Sequence, residues 1–347
     1  MKFYNFQVAN EFDFFIFVLN HKIMKIMGIE STAHTFGVGI VDEDEVLANQ
    51  KDMFEPEEGG IHPREAAEHH YQHALELLNN ALQEASLEYK DLDGIAFSQG
   101  PGIPPCLDVG AVVARSLSKR YDIPVIGVNH CLAHISIGTR TTKAENPTTL
   151  YISGGNSQIL DFRSGRYRVV GETLDVALGN ALDKFARDLG YPHPGGPEIE
   201  KLAEQTEEII EMSYPIKGMD FSFSGLATEA SRKIGDVSDE VLANSFQEHS
   251  YAAIVEALER AMAQENSSEA LLTGGVAMNS RLREMVEKMC KQRGAEAYFP
   301  PAEYCMDNGV MIAHQGMLEL KSGRTTEVPE SHVRPNWRPD QIDVNWI

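Results

Sequence analysis

The chain has 347 residues, 42% hydrophobic and 24% charged, with 52 acidic against 30 basic side chains and a formal net charge of −22. This composition is globular, the length suggests two domains that each bury a core, and disordered, fibrous and collagen-like classes are excluded. Acidity of this size repels polyphosphates at long range, so a nucleic-acid partner needs a local basic patch or a basic partner subunit; Arg163, Arg166 and Arg168 around one hairpin, and Arg324, Arg334 and Arg338 near the end, are the candidates.

At the N terminus, EFDFFIFVLN is an apolar run well short of the ~20 residues that cross a bilayer. Strand-like sequence begins at MKIMGIEST. Residues 1–23 therefore read as a start-site extension or loose tail, with Met24 as an alternative start, and no membrane span is expected. KIMGIESTAHTFGVGIVDEDEVLANQKDMF predicts a strand, a small-residue turn, an alternating strand, an acidic turn over residues 42–45 and a third strand. HPREAAEHHYQHALELLNNALQEA, residues 62–85, predicts an amphipathic helix. Its His69 and His73 share a face, with Glu65 one turn before them as the candidate carboxylate partner, and the reading favoured is a solvated or partner-facing side. LDGIAFSQGPGIPPCLDVGAVVARSLSKRYDIPVIGVNH then reads as a strand–loop–helix–strand crossover of a parallel sheet.

VNHCLAHISIG places His130 and His134 four residues apart, one helical turn, which is the reach of a metal-binding pair. A zinc protease would carry a glutamate after the first histidine, and Cys131 stands there instead. About 120 residues beyond the first strand, TTLYISGGNSQILDFRSGRYRVVGE repeats the three-strand plan, with a turn at 164–165 and helical sequence, LDVALGNALDKFARDLG, behind it. A second crossover, EALLTGGVAMNSRLREMVEKMCKQRGAEAYFPP, follows. The simplest account is a duplicated β-β-β-α unit: two α/β lobes facing each other across a cleft, over residues 24–145 and 146–330, with a C-terminal tail over 331–347.

Three glycine turns could admit a phosphate to the backbone: Ser153-Gly154-Gly155-Asn156, Gly195-Gly196-Pro197 and Gly274-Gly275. None forms a P-loop or a G-x-G-x-x-G fingerprint. Each alone is better explained by a tight structural turn; their repetition after strands in two lobes favours a nucleotide cleft. In GGPEIEKLAE, Pro197 suits the first turn of a helix, and Glu200 could accept from free N–H groups there or from ribose hydroxyls. Asp183 could serve the same sugar, or either carboxylate could instead pair with Lys184 or Lys201. Asp307, in YCMDNGVMIA, stands at a helix start, where it could be an N-cap or join His130 and His134 in a two-histidine, one-carboxylate set with open positions. Cys106, Cys131, Cys290 and Cys305 form no C-x-x-C pair and no disulfide framework, which fits an intracellular, reducing setting.

GIEST, HPREAAEHH, SQGPG, NHCLAH, LYISGGNSQ, GNALDKFAR, GGPEIEKLA, MDFSFSGL, TGGVAMNSRL and CMDNGVMIA, in that order, resemble the signatures of the tRNA threonylcarbamoyladenosine transferases. This family comprises the bacterial TsaD proteins and the catalytic subunit of the archaeal and eukaryotic KEOPS complex. The likeness runs over residues 25–313 and points to the archaeal single-module form. It implies an actin-like ATPase (ASKHA) fold of two duplicated lobes with a nucleotide and metal cleft between them. The implied reaction carries L-threonylcarbamoyl from threonylcarbamoyl-AMP to N6 of adenosine 37, in tRNAs that read codons beginning with A.

The same resemblance implies one divalent metal per chain, Fe(2+) with Zn(2+) as the alternative, on His130, His134, Tyr151 and Asp307. It implies an adenylate site at Tyr151, Ile152, Ser153, Gly154, Gly155, Asp183, Gly196, Glu200 and Asn279. The implied partners are tRNA, a small dimerising subunit on helices such as 62–85, a kinase-like ATPase and an accessory subunit, in the cytoplasm with no membrane. Three positions depart from the family pattern: Pro104, where glycine is common, Asp108, where a basic residue is common, and Ala227 in FSGLATEA, where bacterial members commonly carry a lysine after FSGL. A plain ATPase, a sugar kinase, a non-catalytic scaffold and a metal-dependent O-sialoglycoprotein endopeptidase are the competing readings. The strand–turn aspartate that kinases use is replaced by Glu30-Ser31-Thr32, and the missing glutamate argues against proteolysis.

Overall fold

Runs of branched and small residues build the first sheet. In the computed structural model, which describes residues 23–56 and 60–347, strands β1 (Ile26–Glu30) and β2 (Thr35–Val41) are buried along their whole length, and β3 (Val46–Met53) is a half-buried edge. The N-terminal extension expected over residues 1–23 lies, but for Ile23, outside the described residues. Helix α1 (Pro63–Ala85) precedes β4 (Gly94–Gly100), α2 (Pro104–Tyr121), β5 (Val125–Asn129) and α3 (His130–Thr141). Pro104 and Pro105 open α2, where a missing N–H costs nothing, so the departure from glycine is accommodated by the helix start. Asp108 is an exposed residue of its first turns.

The second half repeats the order. Strands β6 (Thr148–Ile152), β7 (Ser157–Arg163) and β8 (Arg166–Glu172) are followed by α4 (Leu178–Asp188), α5 (Gly195–Ala203), a short ribbon of β9 (Ile216–Lys217) and β10 (Asp220–Phe221), and α6 (Ser224–Arg232). Helix α7 (Asp239–Glu265), β11 (Glu269–Thr273), α8 (Ser280–Arg293), β12 (Glu296–Tyr298), α9 (Ala302–Cys305) and α10 (Gly309–Lys321) complete it. The first sheet has the order β3-β2-β1-β4-β5 and the second β8-β7-β6-β11-β12. Each is an antiparallel three-strand meander extended by two parallel strands. The duplication expected from the two hairpin turns is therefore present strand for strand.

Helix α4 starts at Leu178, later than the helical pattern from Leu174 predicts. The reason is Asp175, whose carboxylate accepts from Phe223 N at 2.9 Å and Ser224 N at 3.1 Å and holds the chain out of the helix. The Gly195-Gly196 turn opens α5 after a loop from α4, and does not end a strand as expected.

Alternation along β1 divides the first lobe's core. Met27 and Ile29 pack with the apolar faces of α1 and α2, while Ile26 packs with α10 and α3. Residues 309–321, which fall within the stretch expected as the second lobe, thus lie on the first sheet. They can do so because glycine faces glycine. Gly28 pairs with Gly39 across β1 and β2. A Cβ on Gly28 would stand 2.1 Å from Ala313 N, and one on Gly309 would stand 2.1 Å from Gly39 N.

The C-terminal segment, expected as a tail, straps the lobes together. Arg334 N donates to Gln99 O at 2.7 Å and Gly102 N to Pro335 O at 3.1 Å, on the first lobe. Arg338 then meets Glu172, and Val344 N donates to Gly165 O at 2.8 Å, on the second. Between these anchors Trp337 is buried beside Cys131 and Tyr151, and its carbonyl accepts from Asn129 Nδ2 at 3.1 Å.

Backbone-to-backbone packing leaves no room to yield, so Gly309→Ala is expected to cost about 3 kcal/mol. That is a fall of roughly 6–12 °C in melting temperature for domains of this size. Circular dichroism melts check it, and a variant melting with the wild type would contradict this seating of α10.

Candidate metal and nucleotide site

The chain turns sharply from β5 into α3, and Asn129 fixes the turn by accepting from Leu132 N at 3.2 Å. His130 is the first residue of the helix and His134 lies one turn on. Their rings sit 4.7 Å apart, nearly perpendicular. The seating of α10 delivers the third group. Asn308 caps that helix, accepting from Met311 N at 2.9 Å, so Asp307 is not the N-cap. It is left free to place Oδ1 at 3.1 Å from His134 Nε2 and 3.5 Å from His130 Nε2. One ligand atom from each of His130, His134 and Asp307 lies within 4.8 Å of the others.

Glu30, at the end of β1, completes the group and was not singled out from the sequence as part of it. Its Oε2 lies 2.9 Å from His130 Nδ1, and its Oε1 accepts from Thr32 N at 2.6 Å. A carboxylate on Nδ1 sets the ring's tautomer, so Nε2 keeps its lone pair for the centre. The available signal was a glutamate closing an otherwise apolar, buried strand. Burial opposes charge on His130, but Glu30 and Asp307 outweigh it and raise the imidazole to about 9. Burial lowers His134. Burial would raise Asp307, yet the two imidazoles hold its carboxyl well below the usual carboxylate range.

Tyr151 packs its ring 5.0 Å from that of His134 and is fully buried, and its hydroxyl has no hydrogen-bond partner. Burial pushes its phenol well up. Two carboxylates, two imidazoles and an orphaned phenol in one buried knot suit a dication, which would neutralise the excess negative charge and give the phenol oxygen a partner. The residues present therefore fit a divalent ion.

Above this knot lies a cleft of about 980 Å³ between the lobes. Ser153, Gly154, Gly155, Asp183, Gly196, Glu200 and Asn279 line it together with His130 and Asp307. Tyr151 and Ile152 do not: as the last residues of β6 they are buried behind it in the core clusters. The side chains that line it are also structural. Asp183 Oδ1 accepts from Gly195 N at 2.7 Å and so caps α5, rather than pairing with a lysine. Lys184 pairs with Asp188 and Lys201 with Glu198. Glu200 lies beyond the first turn of α5 and accepts from Ser280 N at 2.8 Å and Ser280 Oγ at 2.6 Å, at the start of α8. Asn279 caps α8, accepting from Leu282 N at 2.9 Å. Beyond Gly155 and Gly196 there is open space. The cleft's further wall, Asn336 to Arg338, comes from the C-terminal segment and was not expected from its sequence.

The two arginine groups adjoin each other across the β7–β8 hairpin, but most are engaged. Arg163 pairs with Asp161 and Glu265, Arg166 with Asp343, Arg324 with Glu319, and Arg338 with Glu172 and Asp340. Arg334 lies over the Trp337 ring at 4.0 Å. The four cysteines are free and buried; burial pushes the Cys131 thiol up to about 12, so it offers neither nucleophile nor base. No helix among the described residues is long and apolar enough to cross a membrane.

Twin mixed sheets around a cleft define the actin-like ATPase (ASKHA) class, here with a histidine–carboxylate centre at the cleft's floor. A crystal structure of HypF from T. kodakarensis shares the fold, with a TM-score of 0.63 at 15% identity, over 87% of this chain and 48% of that one. The family model for TsaD, tRNA N6-adenosine threonylcarbamoyltransferase, matches residues 43–314. The chain is 50% identical to the tRNA N6-adenosine threonylcarbamoyltransferase of Methanococcoides burtonii, over 93% of this chain and 97% of that protein. It is 52% identical to a probable bifunctional tRNA threonylcarbamoyladenosine biosynthesis protein of Methanosarcina acetivorans, again over 93% of its length, but spans 59% of that longer relative. The chain belongs to the tRNA N6-adenosine threonylcarbamoyltransferase family.

Because Glu30 orients His130, Glu30→Gln is expected to weaken binding of a divalent ion 10–100-fold with little loss of melting temperature. Competition against a chromophoric chelator measures this, and unchanged affinity would deny Glu30 that role.

Proposed function

We propose that this chain transfers L-threonylcarbamoyl from threonylcarbamoyl-AMP to N6 of adenosine 37, in tRNAs reading codons that begin with A, as the catalytic subunit of a KEOPS-type assembly in the cytoplasm. The observation that carries the reading is the buried His130–His134–Asp307 knot at the floor of a cleft lined by glycine turns. Family membership makes this chemistry the expected one.

In this reading His130, His134, Asp307 and the Tyr151 phenol hold a divalent ion, Fe(2+) or else Zn(2+). When bound, the ion supplies Lewis acidity that orients and polarises the activated carbamoyl group. The rest falls to the protein. Gly154, Gly155 and Gly196 let the backbone approach the adenylate phosphate, and the start of α5 presents its dipole to an anion. Asp183, Glu200 and Asn279 stand where the nucleoside lies. The amine forms its bond to the carbamoyl carbon as that carbon's bond to the phosphate oxygen breaks, and AMP leaves with the electron pair and takes up the proton. An anhydride of this kind needs no activated water, and water must be kept away from it. Buried Cys131, between the histidines, supplies no base that would promote hydrolysis.

Charge supports a multi-subunit setting. A chain at −22 with its arginines mostly paired holds tRNA poorly by itself, so basic partner surfaces complete the tRNA site. Helix α1 exposes Tyr71 and Leu75, 74% and 67% accessible, and this suits the proposed small dimerising subunit. The kinase-like ATPase and accessory subunit complete the proposed assembly.

The test supplies threonylcarbamoyl-AMP and an unmodified tRNA, with and without the partner subunits, and counts modified nucleoside by mass spectrometry. His134→Ala is expected to lower modification about a hundredfold or more. Equal modification by His134→Ala would remove the ion from the reaction, and none by the wild type with its partners would sink the reading.

A further inference from the structure

A second cluster of metal-ligand type lies outside the cleft centre. His69 and His73 stand one turn apart on α1, with rings 4.4 Å apart and tilted by 33°. Glu65, one turn before His69, turns away to His62, at 3.7 Å. The carboxylate comes instead from across the fold. Asp52, near the end of edge strand β3, places Oδ1 at 2.7 Å from His69 Nε2. One ligand atom from each of Asp52, His69 and His73 lies within 4.8 Å of the other two. All three residues are half-buried, so the group is held by the protein yet open on one side.

The surroundings hold the cluster in place. The Phe54 ring packs 5.8 Å from that of His69. The neighbouring His70 is fully buried and bonded through Nε2 to Ala33 O at 3.0 Å, which pins this part of α1 to the turn after β1. His69 Nδ1 is buried with no hydrogen-bond partner, so Nε2, the nitrogen that meets Asp52, is the ring's one engaged polar edge. Tetrahedral coordination with bonds of about 2.0–2.2 Å sets ligand atoms about 3.3–3.6 Å apart, within the span this set already covers.

We propose that Asp52, His69 and His73 form a second metal site, for a borderline divalent transition ion of the zinc, cobalt or nickel kind. Two imidazoles and one carboxylate suit such ions rather than calcium or magnesium, which prefer all-oxygen sets. Three protein ligands with one exposed side leave a coordination position for water or for a donor from outside the chain. The ion ties edge strand β3 to α1. Met53 and Phe54, which follow Asp52 directly, line the cleft, so the tie lies at the cleft's lip.

The test uses the full chain, stripped with a chelator, and zinc as the probe. Equilibrium dialysis with elemental analysis counts bound zinc in the wild type, His73→Ala, Asp52→Asn and His134→Ala. His73→Ala is expected to bind one zinc fewer than the wild type. Asp52→Asn is expected to hold that equivalent at least tenfold more weakly, and His134→Ala to retain it. His73→Gln preserves the side chain's bulk and is expected to match His73→Ala. Equal zinc number and affinity in the wild type, His73→Ala and His73→Gln would overturn the proposal, whatever His134→Ala does. A failure of the cleft centre shows separately, as an unchanged zinc count in His134→Ala.

Discussion

The close seating of α10 on the first sheet is the constraint on which the site depends. Four glycines, Gly28, Gly37 and Gly39 on the strands and Gly309 on the helix, offer no Cβ at the contact, so the helix backbone rests on the backbones of β1 and β2. That proximity brings Asp307, the residue before the helix cap, to the histidines of α3. The carboxylate therefore arrives from a point in sequence 173 residues beyond His134, and its position is set by main-chain packing rather than by a flexible loop. Asn308 takes over the cap, which frees Asp307 from the duty its sequence position suggests. The division of labour between two adjacent polar residues separates structural from chemical work.

Electrostatics in the knot follow from the same geometry. Glu30 comes from β1 and Asp307 from the start of α10, so the sheet and helix that pack on each other each contribute one carboxylate to His130. His134 takes no second carboxylate and stays less basic than its neighbour, as burial demands. A buried arrangement with two carboxylates and one readily protonated ring is under-neutralised, and it is poised for a dication.

Much of this was legible in the sequence, and the reasons are physical. Strands β1 to β3 and β6 to β8 announced themselves by alternation and by polar turns at matching intervals, which is how the duplication became visible. The histidine pair was legible because its spacing matches one helical turn, and the glycine turns because their small residues admit a backbone approach. What escaped were contacts between distant segments. The sequence of α10 falls within the stretch read as the second lobe, yet it packs on the first sheet, and no local pattern encodes that return. Glu30 was read as a strand–turn residue because its partner lies 100 positions away. Asp52 was invisible to His69 because a strand and a helix, not a shared periodicity, bring them together. The start of α4 was misjudged because Asp175 spends its carboxylate on a turn near residue 223.

The C-terminal strap limits how the molecule can move. Pro335 is bonded to Gly102 on one lobe and Arg338 to Glu172 on the other. The three peptide units between them reach roughly 10 Å when fully drawn out. Along this margin the lobes cannot part further without tearing those bonds, so any gape must widen on the opposite margin, like a book held at its spine. A bulky substrate then has one direction of approach, and the spine carries Trp337, lodged against Cys131 and Leu132 of the histidine helix beside the buried histidine–carboxylate knot.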